Sequence, residues 1–547
     1  MKFRWTGSVI LLFVSVLLGA ASASEKTAWV NANGYTIGAD GKLTQFRQMM
    51  IEDDKIVAIG NAIAIPEGVQ VIDAQGKTVL PGLIDAHGHI LGLGQGLFEI
   101  DLRGTRSEAE AVKRVKDFIG LNPQADWVVG RGWNQVLWDN QQFPSKSSLD
   151  ALNIDKPIVL SRIDGHASWV NSAALQVAGI DSATTSPSGG EIVKDAQGQP
   201  TGLLIDNAMY IVEKNIPPVD DRLLAKYLDK ASEHLLSLGI TSAHDAGISA
   251  QVVDFFTRSA PDLDFRIYAM IAATDPQLSQ LLQKGHIADD AGMLSIRSVK
   301  VYGDGALGSR GAALIAPYSD DPDNVGLLVT SEEAMPDLFR EVIGAGFQLN
   351  YHAIGDRANR LGLETFAQTF KIFPENNARH RIEHAQVIAP EDLSLFPKYG
   401  IIASMQPTHA TSDMNMAEDR LGKHRLQGAY AWQTLLEMGA DIAFGSDFPV
   451  ELANPFHGLH AAITRQNAEG KPKGGWLGHE AVTREQAFKG FTLDAAYAAF
   501  QEDMIGSLEV GKQADFIVID RDIFTVDEGL IRDTQVLETW VAGKRKY

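Results

Sequence analysis

Eight apolar, strand-like runs alternate with helical stretches through the middle of this chain, and that rhythm restricts its fold more than any other feature. They are GLIDAHGHI (82–90), GITSAHDAG (239–247), DFRIYAMIAA (264–273), IRSVKVYGDG (296–305), GFQLNYHAIG (346–355), HRIEHAQVI (380–388), GIIASMQPTH (400–409) and DIAFGSDFPV (441–450). From the second run onward the spacing is a few tens of residues, the length of one strand plus one helix. It predicts an α/β chain whose strands close into a parallel (β/α)8 TIM-like barrel. Amphipathic stretches such as SEEAMPDLFREVIGAG and AYAWQTLLEMGA supply the connecting helices, several of them closed by Gly as helix C-termini are.

Both ends have a different texture. AWVNANGYTI, RQMMIEDDKIVAIG and VQVIDAQGKTVL near the start, and ADFIVIDRD and VLETWVAGKRKY near the end, are short strands broken by turn residues. They predict one small β-domain built from residues 24–80 and 505–547, with 81–504 left for the barrel. The first two runs lie too far apart for a single crossover, so residues 101–227 or so form an insertion. After a barrel strand, such an insertion falls at the catalytic mouth. It carries Trp127, Trp133, Trp138 and Trp169. These tryptophans either pack a separate core or wall a substrate site, with Trp133 the candidate contact.

The formal net charge of −21 excludes a phosphate-backbone partner, because binding nucleic acid needs a basic patch. Lys2 and Arg4, an apolar run and the small residues Ala21-Ser22-Ala23 read as a cleaved secretory signal, residues 1–23. The apolar run is shorter than the ~20 residues a spanning helix needs, so no stable membrane insertion is expected after cleavage. The protein is therefore expected to be exported, either periplasmic or secreted. It contains no cysteine. Thiolate chemistry is excluded, and any metal must be held by nitrogen and oxygen.

Polar residues recur at the ends of the predicted strands. His87 and His89 are two apart, so on a strand they share a face. Taken alone they are equally a metal pair or two hydrogen-bonded core histidines. Lys300, Asp304, His352, His384 and Asp447 fall at the corresponding ends of later runs, where barrel enzymes keep their chemistry. Several imidazoles plus a carboxylate suit zinc or a similar divalent ion. Lys300 on the inner face must pair with carboxylates, be deprotonated, or be converted to a carbamate that bridges two metals.

Taken together, VLPGLIDAHGHI, DGHASWVNSAAL, SVKVYGDGALGSRGAAL, NYHAIGDRA, RIEHAQ, FGSDFPV and GSLEVGKQADFIVID resemble the amidohydrolase superfamily. Within it, they resemble the amidohydrolase-3 group of YtcJ-like and N-substituted formamide deformylase-like proteins. The resemblance implies a barrel flanked by a β-sandwich made from both chain ends. It implies that His87, His89 and Asp447 bind the more buried metal, that His352 and His384 bind a second, and that Lys300 is a carboxylated bridge. Members use one or two ions, so nuclearity stays open.

The implied chemistry is hydrolysis by metal-activated water, with Asp447 taking a proton and passing it to a leaving nitrogen. His166 in DGHASW either donates to the carbonyl oxygen or ties down its loop. Asp304 and Arg310 either contact substrate, Arg310 clamping a carboxylate, or form an exposed loop salt bridge. His244 and Asp245 are candidate supports behind the ligands. The expected substrate is a small molecule, a linear N-acyl or N-formyl amide. The rivals are a cyclic amide, ester or lactone at the same centre, an isomerase or deaminase on a similar barrel, and an exported binding protein with a structural metal. The oligomeric state is left open, a homo-oligomer included.

Overall fold

The structure is a computed structural model that describes residues 26–547, except 39, 163–166, 188–189, 207 and 309. The signal segment and His166 lie outside the described residues. Each of the eight runs forms a parallel strand. In chain order these are β1 (Leu83–Gly88), β2 (Ile240–Ile248), β3 (Arg266–Ala272), β4 (Leu294–Tyr302), β5 (Gln348–Ala353), β6 (Arg381–His384), β7 (Ile402–Met405) and β8 (Ile442–Phe444). Neighbours in sequence are neighbours in the sheet from β1 to β8. The strands are apolar on both faces because helices cover the outside and side chains fill the inside.

The ring is drawn together just beyond β8. A parallel bridge links Gly88 to Phe448, the His89 amide donates to the Phe448 carbonyl at 2.7 Å, and the Asp447 amide donates to the His87 carbonyl at 2.7 Å. Gly88 is required at this seam, since a Cβ there would stand 2.5 Å from the Phe448 ring. Asp85 adds side-chain bonds across the same seam, accepting from the Ser446 hydroxyl at 2.6 Å and from the Ser446 amide.

Strands from both termini form a four-stranded and a six-stranded sheet. The second joins Asn33–Ile37 and Thr78–Pro81 to Phe516–Ile519 and Val536–Val541. Trp29, Phe46, Met49, Ile56, Val79, Phe516 and Val518 fill one shared core, which makes the pair a β-sandwich. It grips the barrel at the strand N-termini, away from the histidines. There Arg266, the first residue of β3, pairs with Asp515 at 2.6 Å with both side chains almost fully buried.

The insertion between β1 and β2 builds its own six-stranded mixed sheet and two cores of its own. Among the described residues, no helix is long and apolar enough to cross a membrane.

Candidate metal centre

The strand ends bring together most of the residues singled out by sequence. His87 ends β1 with its side chain fully buried, and His384 ends β6. Asp447 follows β8. One ligand atom from each of these three lies within 4.8 Å of the other two. His89 Nε2 stands 3.2 Å from Asp447 Oδ1, and His87 Nε2 stands 3.8 Å from the same oxygen. Ligand atoms ~2.0–2.2 Å from one tetrahedral ion lie roughly 3.3–3.6 Å apart, and the 3.2 and 3.8 Å separations stand on either side of that range. Lys300 on β4 places Nζ 3.1 Å from His87 Nε2. The His352 ring on β5 is 4.5 Å from that of His384, centroid to centroid.

Donor chemistry fits a divalent cation. Burial, followed by the neighbouring Lys300 charge, lowers His87 to about 4, and the same two causes lower His352 to about 3. Burial, then the adjacent His352, pushes His384 well below the usual range. All three are therefore neutral near pH 7 and offer lone pairs. Burial alone would raise Asp447, but the approach of His89 and the fields of His87 and His409 hold it well below the usual carboxylate range. Three buried atoms around the centre, His352 Nε2, His409 Nε2 and Asp447 Oδ1, have no hydrogen-bond partner among the described residues. Orphaned polar atoms are costly in a protein interior, and a shared cation would satisfy them.

Strain accompanies the donors. His384 has φ +74° and Asp447 has φ +61°, a left-handed conformation uncommon for residues other than glycine and often found at functional sites. Burial lowers Lys300 to about 8, against the opposing pull of Glu383 and Asp447.

The weaker sequence candidates land elsewhere. Asp304 is buried and tied to backbone, accepting from the Ala313, Ile354 and Gly355 amides at 2.8–2.9 Å. Its Oδ1 lies 3.5 Å from His352 Nε2, beside the same nitrogen that faces the centre. Arg310 is engaged by Asp320, at 2.9 Å from its Nη2, the loop salt bridge that was the alternative to a substrate clamp. Trp133 is fully buried and donates Nε1–H to the Leu160 carbonyl at 2.7 Å. Its ring packs with Trp138, Phe143 and Trp169. In this conformation it is core and offers a substrate no surface, because four large rings exclude water most fully by packing on each other. His244 is buried beneath the centre, its Nδ1 3.0 Å from Arg381 Nη1, and Asp245 accepts the Ile90 amide at 3.1 Å.

Sequence reasoning missed three residues. His409, just past β7, reaches within 3.6 Å of Asp447 Oδ2. Gln406 Oε1 lies 2.8 Å from His384 Nδ1. Glu383 is buried against His87 Nδ1 and forms an ion pair with Arg381 at 2.7 Å. A signal for Glu383 was present: a charged Arg-x-Glu pair inside an otherwise apolar strand puts both charges on one inward face.

A nearly closed eight-stranded parallel barrel with a His87, His384 and Asp447 cluster at its strand C-termini points to the class of barrel metallohydrolases. The chain belongs to the Amidohydrolase family, whose sequence model matches residues 70–547. It is 31% identical to the putative amidohydrolase YtcJ of Bacillus subtilis (strain 168), over 95% of this chain and 99% of that protein. To the N-substituted formamide deformylase of Arthrobacter pascens it is 25% identical, over 95% and 97% of the two chains. The crystal structure of an uncharacterized metal-dependent hydrolase from Pyrococcus furiosus matches with a TM-score of 0.76 at 28% identity, covering 91% of this chain and 100% of that one.

Proposed function

We propose that this protein is an exported, divalent-metal hydrolase that cleaves a non-peptide C–N bond in a small molecule, with a linear N-acyl or N-formyl amide as the first substrate class. The observation that carries this is the convergence of His87, His384 and Asp447 ligand atoms within 4.8 Å. Membership of the Amidohydrolase family supports hydrolysis, and the likeness to a formamide deformylase supports the amide. Export rests on the N-terminal sequence alone. Residues 24–80 with 505–547 are taken as the sandwich unit and 81–504 as the catalytic unit.

His87, His89 and Asp447 would hold one ion, and His352 and His384 a second. Zinc suits this all-nitrogen-and-oxygen set. A bound divalent ion supplies Lewis-acid charge and brings the pKa of water toward ~7. Asp447, ionised and facing the centre, takes the proton that water releases and returns it to the leaving nitrogen. Lys300, with its affinity for protons reduced by burial, carries a free amine lone pair in part of the population at neutral pH. That amine could bond to the carbon of carbon dioxide and lose a proton, giving a carbamate whose oxygens would add carboxylate-type donors to the centre. Neutral His87, His352 and His384 give lone pairs without first shedding protons.

The test is product analysis of the zinc-loaded protein over a panel of linear amides, cyclic amides, esters and lactones. Release of a carboxylic acid and an amine from linear amides is the expected result. Preferential ring opening or ester cleavage would move the assignment to those substrates. A metal-loaded protein inert to the whole panel would favour a binding role.

A further inference from the structure

Beneath the centre lies a buried chain of polar groups that the proposed reaction does not use. Arg381 and Glu383 sit on β6 with side chains fully buried. Arg381 donates to the Ala86 carbonyl at 2.6 Å, to the Ser404 hydroxyl at 2.9 Å and toward His244 Nδ1. It also holds Glu383 Oε1 at 2.7 Å. The other Glu383 oxygen meets His87 Nδ1.

Nδ1 of His87 therefore faces a group with fixed hydrogen-bonding character, and Nε2 faces the Lys300 amine. A carboxylate paired with arginine can only accept, so Nδ1 must carry the hydrogen. Nε2 stands 3.1 Å from the Lys300 amine, which as an ammonium can only donate to it. The Glu383 contact selects the tautomer with hydrogen on Nδ1, the Lys300 contact is compatible with it, and Asp447 Oδ1 lies 3.8 Å from the Nε2 left unprotonated. Without Glu383, both tautomers would be open to a neutral imidazole, and the ring would be free to rotate about its Cβ–Cγ bond.

We infer that Glu383, clamped by Arg381, is a positioning residue that fixes the tautomer and ring orientation of His87 so that Nε2 is presented for metal binding. This rests on His87 being a metal ligand, as proposed above. It differs from a packing role because it acts on ligand basicity and aim. Carboxylate partners of metal-bound histidines typically contribute 10–100-fold to metal affinity.

The experiment measures zinc affinity of the full-length mature protein by competition with a chromophoric chelator. Wild type, Glu383→Gln and Ser404→Ala are compared, with apo-protein thermal unfolding recorded for each. Glu383→Gln should weaken zinc binding 10–100-fold, because its amide can present N–H to Nδ1 and favour the opposite tautomer. Ser404→Ala removes a bond from the same buried network without touching His87 and should leave zinc affinity at the wild-type value. If Glu383→Gln leaves Arg381 unpaired and fails to fold, the Arg381→Met/Glu383→Gln double variant removes the buried charge and should show the same weakening. Unchanged zinc affinity in the folded glutamine variants would overturn the inference while leaving the metal site standing. Equal weakening in Ser404→Ala would reduce Glu383 to a packing role. A wild type that binds no zinc would refute the metal site and the inference together.

Discussion

Replacing Asp447 by Asn separates proton transfer from folding at this centre. The side chain is almost fully buried, and its backbone occupies the left-handed region at φ +61°. Asn tolerates that conformation where most residues are strained. The Asp447 amide still donates to the His87 carbonyl at 2.7 Å, so the seam closing the barrel is untouched. Asn also keeps an oxygen where Oδ1 faces His89 at 3.2 Å and His87 at 3.8 Å, so metal should be retained, though held less tightly. What is lost is a carboxylate whose proton affinity lies well below the usual range and which is the proposed carrier of a proton to the leaving group. General acid–base catalysis contributes about 10²–10⁴-fold, or about 3–5 kcal/mol in the barrier. Initial rates on the substrate identified by the panel, with metal content and thermal unfolding in parallel, should show kcat down by about that factor at near-native stability. A kcat within a few-fold of wild type, with metal still bound, would refute the role assigned to Asp447.

Other perturbations probe the remaining links. Because burial lowers Lys300 to about 8, its amine is neutral above that pH and protonated below it. Carbamate formation and second-metal occupancy should therefore rise with pH through about 8 in the presence of bicarbonate, read as metal per chain after desalting, and a flat profile would discount the carbamate. Trp133→Ala should cost about 3–5 kcal/mol of stability with KM unchanged, since the ring is sealed in the insertion core; a raised KM at native stability would restore it as a substrate wall. Asp515→Asn should cost about 3–5 kcal/mol in urea unfolding, because it strands the buried Arg266 charge between barrel and sandwich, and a loss below about 1 kcal/mol would mark that pair as exposed in solution. Gly88→Ala should destabilise by about 1–3 kcal/mol, as the added methyl meets the Phe448 ring, and native thermal stability would show that the seam can relax.

The barrel was legible because its eight strands are apolar on both faces and their spacing repeats, a pattern local enough to survive without coordinates. The candidate donors were legible for a related reason: His87, His352 and His384 interrupt apolar runs at their C-terminal ends, where polarity costs most without a purpose. Contacts made between strands were not legible. Glu383 reaches His87 across 296 residues of sequence, and only the closed ring reveals that they touch. His409 lies beyond its strand, in a helix starting at Pro407, so no strand alternation pointed to it. Which of the two roles the insertion's tryptophans take was not legible, because composition says that aromatic rings will cluster but not whether they face solvent or each other; Trp133, Trp138 and Trp169 are buried against one another. Asp304 sits four residues past the lysine and Arg310 ten before Asp320, and their partners Ala313 and Asp320 lie further along the same loop.

The central claim is that the strand ends hold a divalent metal. Elemental analysis of the mature protein purified without chelator, repeated on a His87→Ala/His384→Ala variant, tests it most directly. One or two equivalents of zinc or a similar ion per chain, lost in the variant while the fold persists, is the predicted result. Metal-free wild-type protein whose turnover is unaffected by added zinc or by chelator would contradict it.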